Sequence, residues 1–146
     1  MQEKQSERRD PRQNYEHAFL RNYADKKILI VDDEKEICAL IRETLSIDNF
    51  NVFEANSGEQ ALRLVSQENP DLVLLDVAMP GSYDGIEVSR RIKSNHQTQR
   101  TSVIFLTAVP LDDSSGQQYF ADDIFYKPFS PIQLVNRIYD ILNKAD

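Results

Sequence analysis

The chain holds a single cysteine, Cys38, among its 146 residues. That excludes an internal disulfide framework and any thiolate-rich zinc site. No apolar run approaches the roughly 20 residues needed to cross a bilayer, so no membrane association is expected. The first residues, Met1 to Arg12, are polar and have none of the apolar centre of a secretory signal. An excess of basic charge is also missing. The net charge is −7, with residues 28–146 at −9 and residues 1–27 at +2. An acidic body repels phosphate backbones, so nucleic acid is not an expected partner. Acidic side chains gathered at one place hold a divalent cation instead. What remains has the length of one ordinary domain, expected to be cytoplasmic and able to bury a self-sufficient core.

The chain opens with a polar stretch, residues 1–14, which includes Pro11 and is expected to fray. Tyr15, Phe19, Leu20 and Tyr23 then recur at helical spacing. This stripe is either a helix packed on the body or a contact surface for a partner. From Lys27 onward strand and helix signals alternate, without an internal repeat. Ile28 to Val31, residues 51–55, Leu72 to Leu75, Val103 to Leu106 and Ile124 to Tyr126 read as five strands. Between the first two, Ile37, Leu40, Ile41 and Leu45 form a helical stripe. Ser57-Gly58-Glu59-Gln60 is a capping box that opens a second helix over Ala61, Leu62, Leu64 and Val65. Ile86, Val88 and Ile92 suggest a third. Ser130 as N-cap and Pro131 at the first helical position start a last one, with Leu134, Val135, Ile138, Ile141 and Leu142 as its core face. Apolar strands interleaved with helices predict an α/β fold, a doubly wound five-stranded parallel sheet covered on both faces. The domain is expected over 27–146, with residues 1–26 as a polar tail and short amphipathic helical extension.

In such sheets ligands gather outside the carboxyl ends of the strands. The residues found there are Asp32 and Asp33 after the first strand, Asp76 after the third, Thr107 at the end of the fourth and Lys127 after the fifth. Three carboxylates in one partly buried place repel each other, and a hard divalent ion such as Mg²⁺ relieves that repulsion. The plain alternative is that Asp32-Asp33-Glu34 caps the first helix and complements its dipole. That alternative leaves Asp76, Thr107 and Lys127 unexplained.

The run from Lys27 to Asp146 resembles the receiver domain of two-component response regulators, the family that includes the bacterial chemotaxis regulator. The resemblance lies in Val31-Asp32-Asp33-Glu34, Leu75-Asp76-Val77-Ala78-Met79-Pro80, Asp84-Gly85, Leu106-Thr107-Ala108 and Tyr126-Lys127-Pro128-Phe129. It implies a flavodoxin-like fold and a signalling module rather than an enzyme. Asp76 is then the phosphoacceptor, and Lys127 and Thr107 contact the phosphoryl group. Mg²⁺ is held by Asp33, Asp76 and the Ala78 carbonyl directly, and by Asp32 through water. It further implies a cis bond before Pro128. Its partners are a sensor histidine kinase or a histidine phosphotransfer protein, and an unknown downstream protein. A homodimer, through the last strand and helix or through the N-terminal stripe, is open.

Three departures qualify the resemblance. The family places an aromatic residue three positions before the lysine; here it is Ile124, a stiff β-branched side chain suited to core packing. The stretch from Pro110 to Gly116 is a poor start for the helix expected between the fourth and fifth strands. One extra residue stands in the loop Gly81-Ser82-Tyr83. Ala78 and Val109 offer no group to orient a hydrolytic water, so slow loss of the phosphoryl group is expected. Cys38 reads as packing or surface, and His17 and His96 as surface residues.

The leading expectation is a stand-alone receiver that signals by protein contacts. A receiver-like scaffold not regulated by phosphorylation is the alternative. A phosphatase of the haloacid dehalogenase type is a third, disfavoured because Ala78 stands where those enzymes carry a second aspartate.

Overall fold

A computed structural model describes residues 23–112 and 119–144. The expected tail, the stripe as far as Leu20, His17 and the core of the 110–116 stretch lie outside those residues. Strands β1 (Lys27–Val31), β2 (Asn51–Ala55), β3 (Leu72–Leu75), β4 (Ser102–Thr107) and β5 (Asp123–Tyr126) alternate with helices α1 (Lys35–Leu45), α2 (Gly58–Glu68), α3 (Gly85–Ser94) and α4 (Pro131–Lys144). Among the described residues no α-helix lies between β4 and β5. All four strand pairings are parallel, and the order is β2-β1-β3-β4-β5. This is the doubly wound sheet that the alternating signals predict.

Strand periodicity sorts the core into two layers. Ile28, Ile30, Leu72, Leu74, Ile104 and Leu106 face one side, where they meet Ile41, Leu45, Leu134 and Ile138 of α1 and α4. Leu29, Val31, Val73, Leu75, Val103 and Phe105 face the other, against Ala61, Val65, Val88 and Ile92 of α2 and α3. The three inner strands are buried on both faces, which is why they read as continuous apolar runs. The edge strands differ. β5 is only partly buried along its length and Tyr126 is exposed, so its apolar text does not mean two covered faces.

Helix ends follow their caps closely. The Ser57 side chain accepts the Gln60 N–H at 3.2 Å, but Gln60 returns its own oxygen to the Asn56 N–H at 3.0 Å, one residue earlier than a capping box places it. Asp84 caps α3 by accepting the Glu87 N–H at 2.9 Å. Ser130 accepts the Gln133 N–H at 3.2 Å at the start of α4. The apolar stripe of α1 is rotated from its expected position. Cys38, Ile41 and Leu45 are buried while Leu40 is exposed, because Cys38 fills the core-facing turn.

A carboxylate and lysine cluster at the carboxyl edge of the sheet

The topology reverses between β1 and β3, which leaves a crevice at their carboxyl ends. Asp32 and Asp76 stand there, one residue past each strand, with relative exposures of 3% and 4%. Backbone pairing extends beyond the strands to fix them: the Asp32 N–H bonds the Ala55 carbonyl at 3.2 Å, and the Asp76 N–H bonds the Val31 carbonyl at 2.9 Å. Asp33 is exposed beside them. Carboxylate oxygens of Asp32, Asp33 and Asp76 lie within 4.8 Å of one another.

Lys127 reaches this cluster from the far side of β4. Its backbone N–H bonds the Thr107 carbonyl at 2.9 Å, and the Lys127–Pro128 peptide is cis. The Lys127 Nζ lies 2.8 Å from Asp32 Oδ2, 2.9 Å from Glu34 Oε1 and 3.5 Å from Asp76 Oδ2. Asp32 is held on both oxygens, since its Oδ1 accepts the Glu34 N–H at 2.8 Å. Asp76 Oδ1 accepts the Ala78 N–H at 3.2 Å. Thr107 is fully buried, and its Oγ1 accepts the Val109 N–H at 3.0 Å. The one-to-one β3–β4 register, with Leu75 opposite Phe105, carries Thr107 one step beyond the level of Asp76.

The electrostatics follow from burial and crowding. Burial first, and then the Asp32 charge, push the Asp76 carboxyl up to about 6, against the pull of Lys127 and the Ala78 N–H. Burial alone would lower the Lys127 ammonium. Its hydrogen bonds to Asp32 and Glu34, with the charges of Asp32 and Asp76, hold it above the usual lysine range instead. Asp76 is thus the strained member of the cluster and Lys127 its permanent cation. The donor set fits a small hard divalent ion: three clustered carboxylates, of which Asp33 is open to water that can complete an octahedral shell. Among the described residues no second cluster of this kind occurs.

Several sequence expectations are settled by placement. Ile124 packs on the α2–α3 side and Phe125 on the α1–α4 side, so neither lies among the clustered acids. Tyr126 is exposed, and its hydroxyl accepts the Leu111 N–H at 3.2 Å. Cys38 is buried, its thiol donating to the Asp32 carbonyl at 3.5 Å and pushed up to about 11, chiefly by burial. It is a packing residue, not a nucleophile.

Two residues quoted in the sequence motifs have a part at the site that the sequence does not reveal. Glu34 shares the Lys127 ammonium, although its adjacency to the acidic pair suggested only helix capping. Gly85 opens α3 where a Cβ would sit 2.3 Å from the Asp76 carbonyl oxygen and 2.7 Å from Val77 Cα. Its bare backbone lets α3 close on the loop that carries Asp76, and its N–H bonds the Val77 carbonyl at 2.9 Å.

Known proteins resemble this chain in sequence and in fold. Residues 28–139 match the family model of the response regulator receiver domain. The transcriptional regulatory protein CpxR of Klebsiella pneumoniae is 44% identical over 121 residues, which cover 82% of this chain and 50% of that protein. The chain spans about half the length of the curated relatives it matches. Among solved structures, the receiver domain of the Francisella response regulator 1452 superposes with a TM-score of 0.73 at 30% identity, covering 83% of this chain and 99% of that one. The BeF3-activated DrrB receiver domain does so with a TM-score of 0.71 at 36% identity, covering 81% and 97%. Phosphorylation on an aspartate is characteristic of these domains, and the chain belongs to the response regulator receiver family of two-component signalling.

Proposed function

We propose that Asp76 accepts a phosphoryl group from a histidine kinase or a histidine phosphotransfer protein, and that the phosphorylated domain signals through protein contacts. The observation that carries this reading is the placement of Asp76. It lies buried at a strand end, with carboxylate oxygens of Asp32 and Asp33 within 4.8 Å and the Lys127 Nζ 3.5 Å away. With its carboxyl near 6, Asp76 is ionised at neutral pH but held less firmly in that state than an exposed aspartate. An Asp76 oxygen attacks the phosphorus of the donor, the phosphorus–nitrogen bond breaks, and the imidazole leaves with that bond's electrons. Mg²⁺, held by Asp33, Asp76 and the Ala78 carbonyl, with Asp32 acting through water, would supply charge neutralisation at the phosphoryl oxygens. Lys127 sits where it can pair with the transferred group, exchanging its bonds to Asp32 and Glu34 for phosphoryl oxygens. Thr107 offers its hydroxyl as a donor, since the Val109 N–H engages only an acceptor lone pair.

Turnover of an external phosphate ester is not expected, because Ala78 supplies no acid or base two residues beyond Asp76. The domain spans residues 27–146 in this reading, with residues 1–26 as a polar tail and short amphipathic helical extension, whose Tyr23 packs into the domain's core.

The experiment uses the full chain with Mg²⁺ and beryllofluoride or acetyl phosphate, comparing wild type with Asp76→Asn. A stoichiometric adduct in wild type alone supports the reading. Sustained release of inorganic phosphate from ester substrates would favour a phosphatase. A folded protein that forms no adduct would favour the scaffold.

A further inference from the structure

The chain leaving β4 is held by a residue that stands outside the cluster of acids and lysine. Thr107, the last residue of β4, pairs in register with Tyr126 on β5. The residue after Tyr126 is Lys127, whose backbone N–H donates to the Thr107 carbonyl at 2.9 Å. Among the described residues no backbone–backbone hydrogen bond holds residues 109–111. Side chains tie this segment instead. The Val109 N–H donates to Thr107 Oγ1 at 3.0 Å, and the Leu111 N–H donates to the Tyr126 hydroxyl oxygen at 3.2 Å. The same hydroxyl donates to the Leu111 carbonyl at 3.5 Å, so one phenol engages both backbone groups of Leu111. Leu111 is a firm anchor, because its side chain packs with Ile124 against the α2–α3 core.

The effect of this tie reaches the phosphoryl site through Thr107. That residue is fully buried, and its hydroxyl has a single hydrogen to give. The Val109 N–H occupies one lone pair of the oxygen and so restricts where the hydrogen can turn. If the segment drifted, the Val109 N–H would leave and the hydroxyl would rotate freely. Tyr126 opposes that drift at Leu111. We propose that Tyr126 is a positioning residue for phosphoryl capture. Its hydroxyl pins Leu111, the pinned segment keeps the Val109 N–H on Thr107 Oγ1, and the Thr107 hydroxyl is left set to donate to a phosphoryl oxygen. This role rests on Asp76 being the acceptor. Its size is bounded by exposure: Tyr126 is 40% exposed, so its bonds compete with water and are worth a few-fold in affinity rather than orders of magnitude.

The test is a beryllofluoride titration of the full chain in Mg²⁺, followed by backbone amide resonances, together with the water-exchange rate of the Leu111 amide. Tyr126→Phe keeps the ring and removes only the hydroxyl. It is expected to speed Leu111 exchange and to weaken beryllofluoride binding about fivefold, the loss of one hydrogen bond. Pairing it with changes at Thr107 separates positioning from a general loss of stability. In Thr107→Val, which has no hydroxyl to set, Tyr126→Phe is expected to cost nothing more; in Thr107→Ser, which keeps the hydroxyl, the fivefold loss is expected to return. Binding by Tyr126→Phe equal to or tighter than that of wild type overturns the proposal, and this comparison stands even if Thr107→Val fails to fold. An equal loss in wild type and in Thr107→Val also overturns it, since the effect would not pass through the hydroxyl. Absence of any adduct in folded wild type overturns the reading of Asp76 and this role with it, whereas a wild-type adduct indifferent to Tyr126→Phe overturns this role alone.

Discussion

Replacing Asp76 with asparagine should stabilise the metal-free protein while abolishing its chemistry. Asp76 is 4% exposed, and its carboxyl is raised to about 6 from an unfolded value of 3.8. The folded state therefore holds the Asp76 proton more tightly than the unfolded state does. The stability from this group is fully present below about pH 3.8 and is lost as pH rises through about 6. Above both values the ionised side chain costs the fold about 3 kcal/mol, a little over two pKa units at 1.36 kcal/mol each. Asparagine keeps the shape and removes the charge. At pH 8 in chelator, Asp76→Asn is expected to unfold at a higher urea concentration, with a gain of about 3 kcal/mol and a melting temperature higher by about 10 °C. At pH 4 the two proteins should nearly coincide. Added Mg²⁺ should close the pH 8 gap from the wild-type side, since only wild type keeps all three carboxylates. An asparagine variant equal to or weaker than wild type at pH 8 in chelator would refute the electrostatic account of the site.

Three further outcomes follow from the geometry. Gly85→Ala places a methyl group 2.3 Å from the Asp76 carbonyl oxygen. It should cost about 2–3 kcal/mol in urea unfolding and also weaken beryllofluoride binding, because the displaced backbone carries the acceptor. Ser57→Ala removes the cap that accepts the Gln60 N–H and should cost about 1 kcal/mol, with beryllofluoride binding unchanged. Once formed, the phosphorylated protein should lose phosphate slowly. Ala78 and Val109 are both exposed and carry no group that orients water, so a lifetime of seconds in a radiolabel chase would contradict that reading.

Much of the fold was legible because burial on two faces leaves a plain mark. Ile28–Val31, Leu72–Leu75 and Val103–Leu106 are unbroken apolar runs, and the structure places all three in the sheet interior. Asp32, Asp76, Thr107 and Lys127 were findable because a polar residue directly after such a run stands at the sheet edge. Edge strands and helix rotation were less legible. β5 has the same apolar text as an inner strand, yet half-exposure there depends on what lies beside it in space. Leu40 and Cys38 are both apolar, and only tertiary packing chose Cys38 for the core. Glu34 escaped because its role needs Lys127, 93 residues away along the chain. Gly85 was visible only as part of a motif, since the reason for a missing Cβ is a backbone oxygen that no local pattern reveals.

The central claim is that one carboxylate, that of Asp76, receives the phosphoryl group. The most direct measurement is to phosphorylate the full chain with acetyl phosphate and Mg²⁺, trap the acyl phosphate by borohydride reduction, and map the product by peptide mass spectrometry. Homoserine at position 76, at no other aspartate and only with Mg²⁺ present, is the predicted result. Reduction at Asp32 or Asp33, or an unmodified Asp76 in a protein that remains folded and binds Mg²⁺, would contradict it.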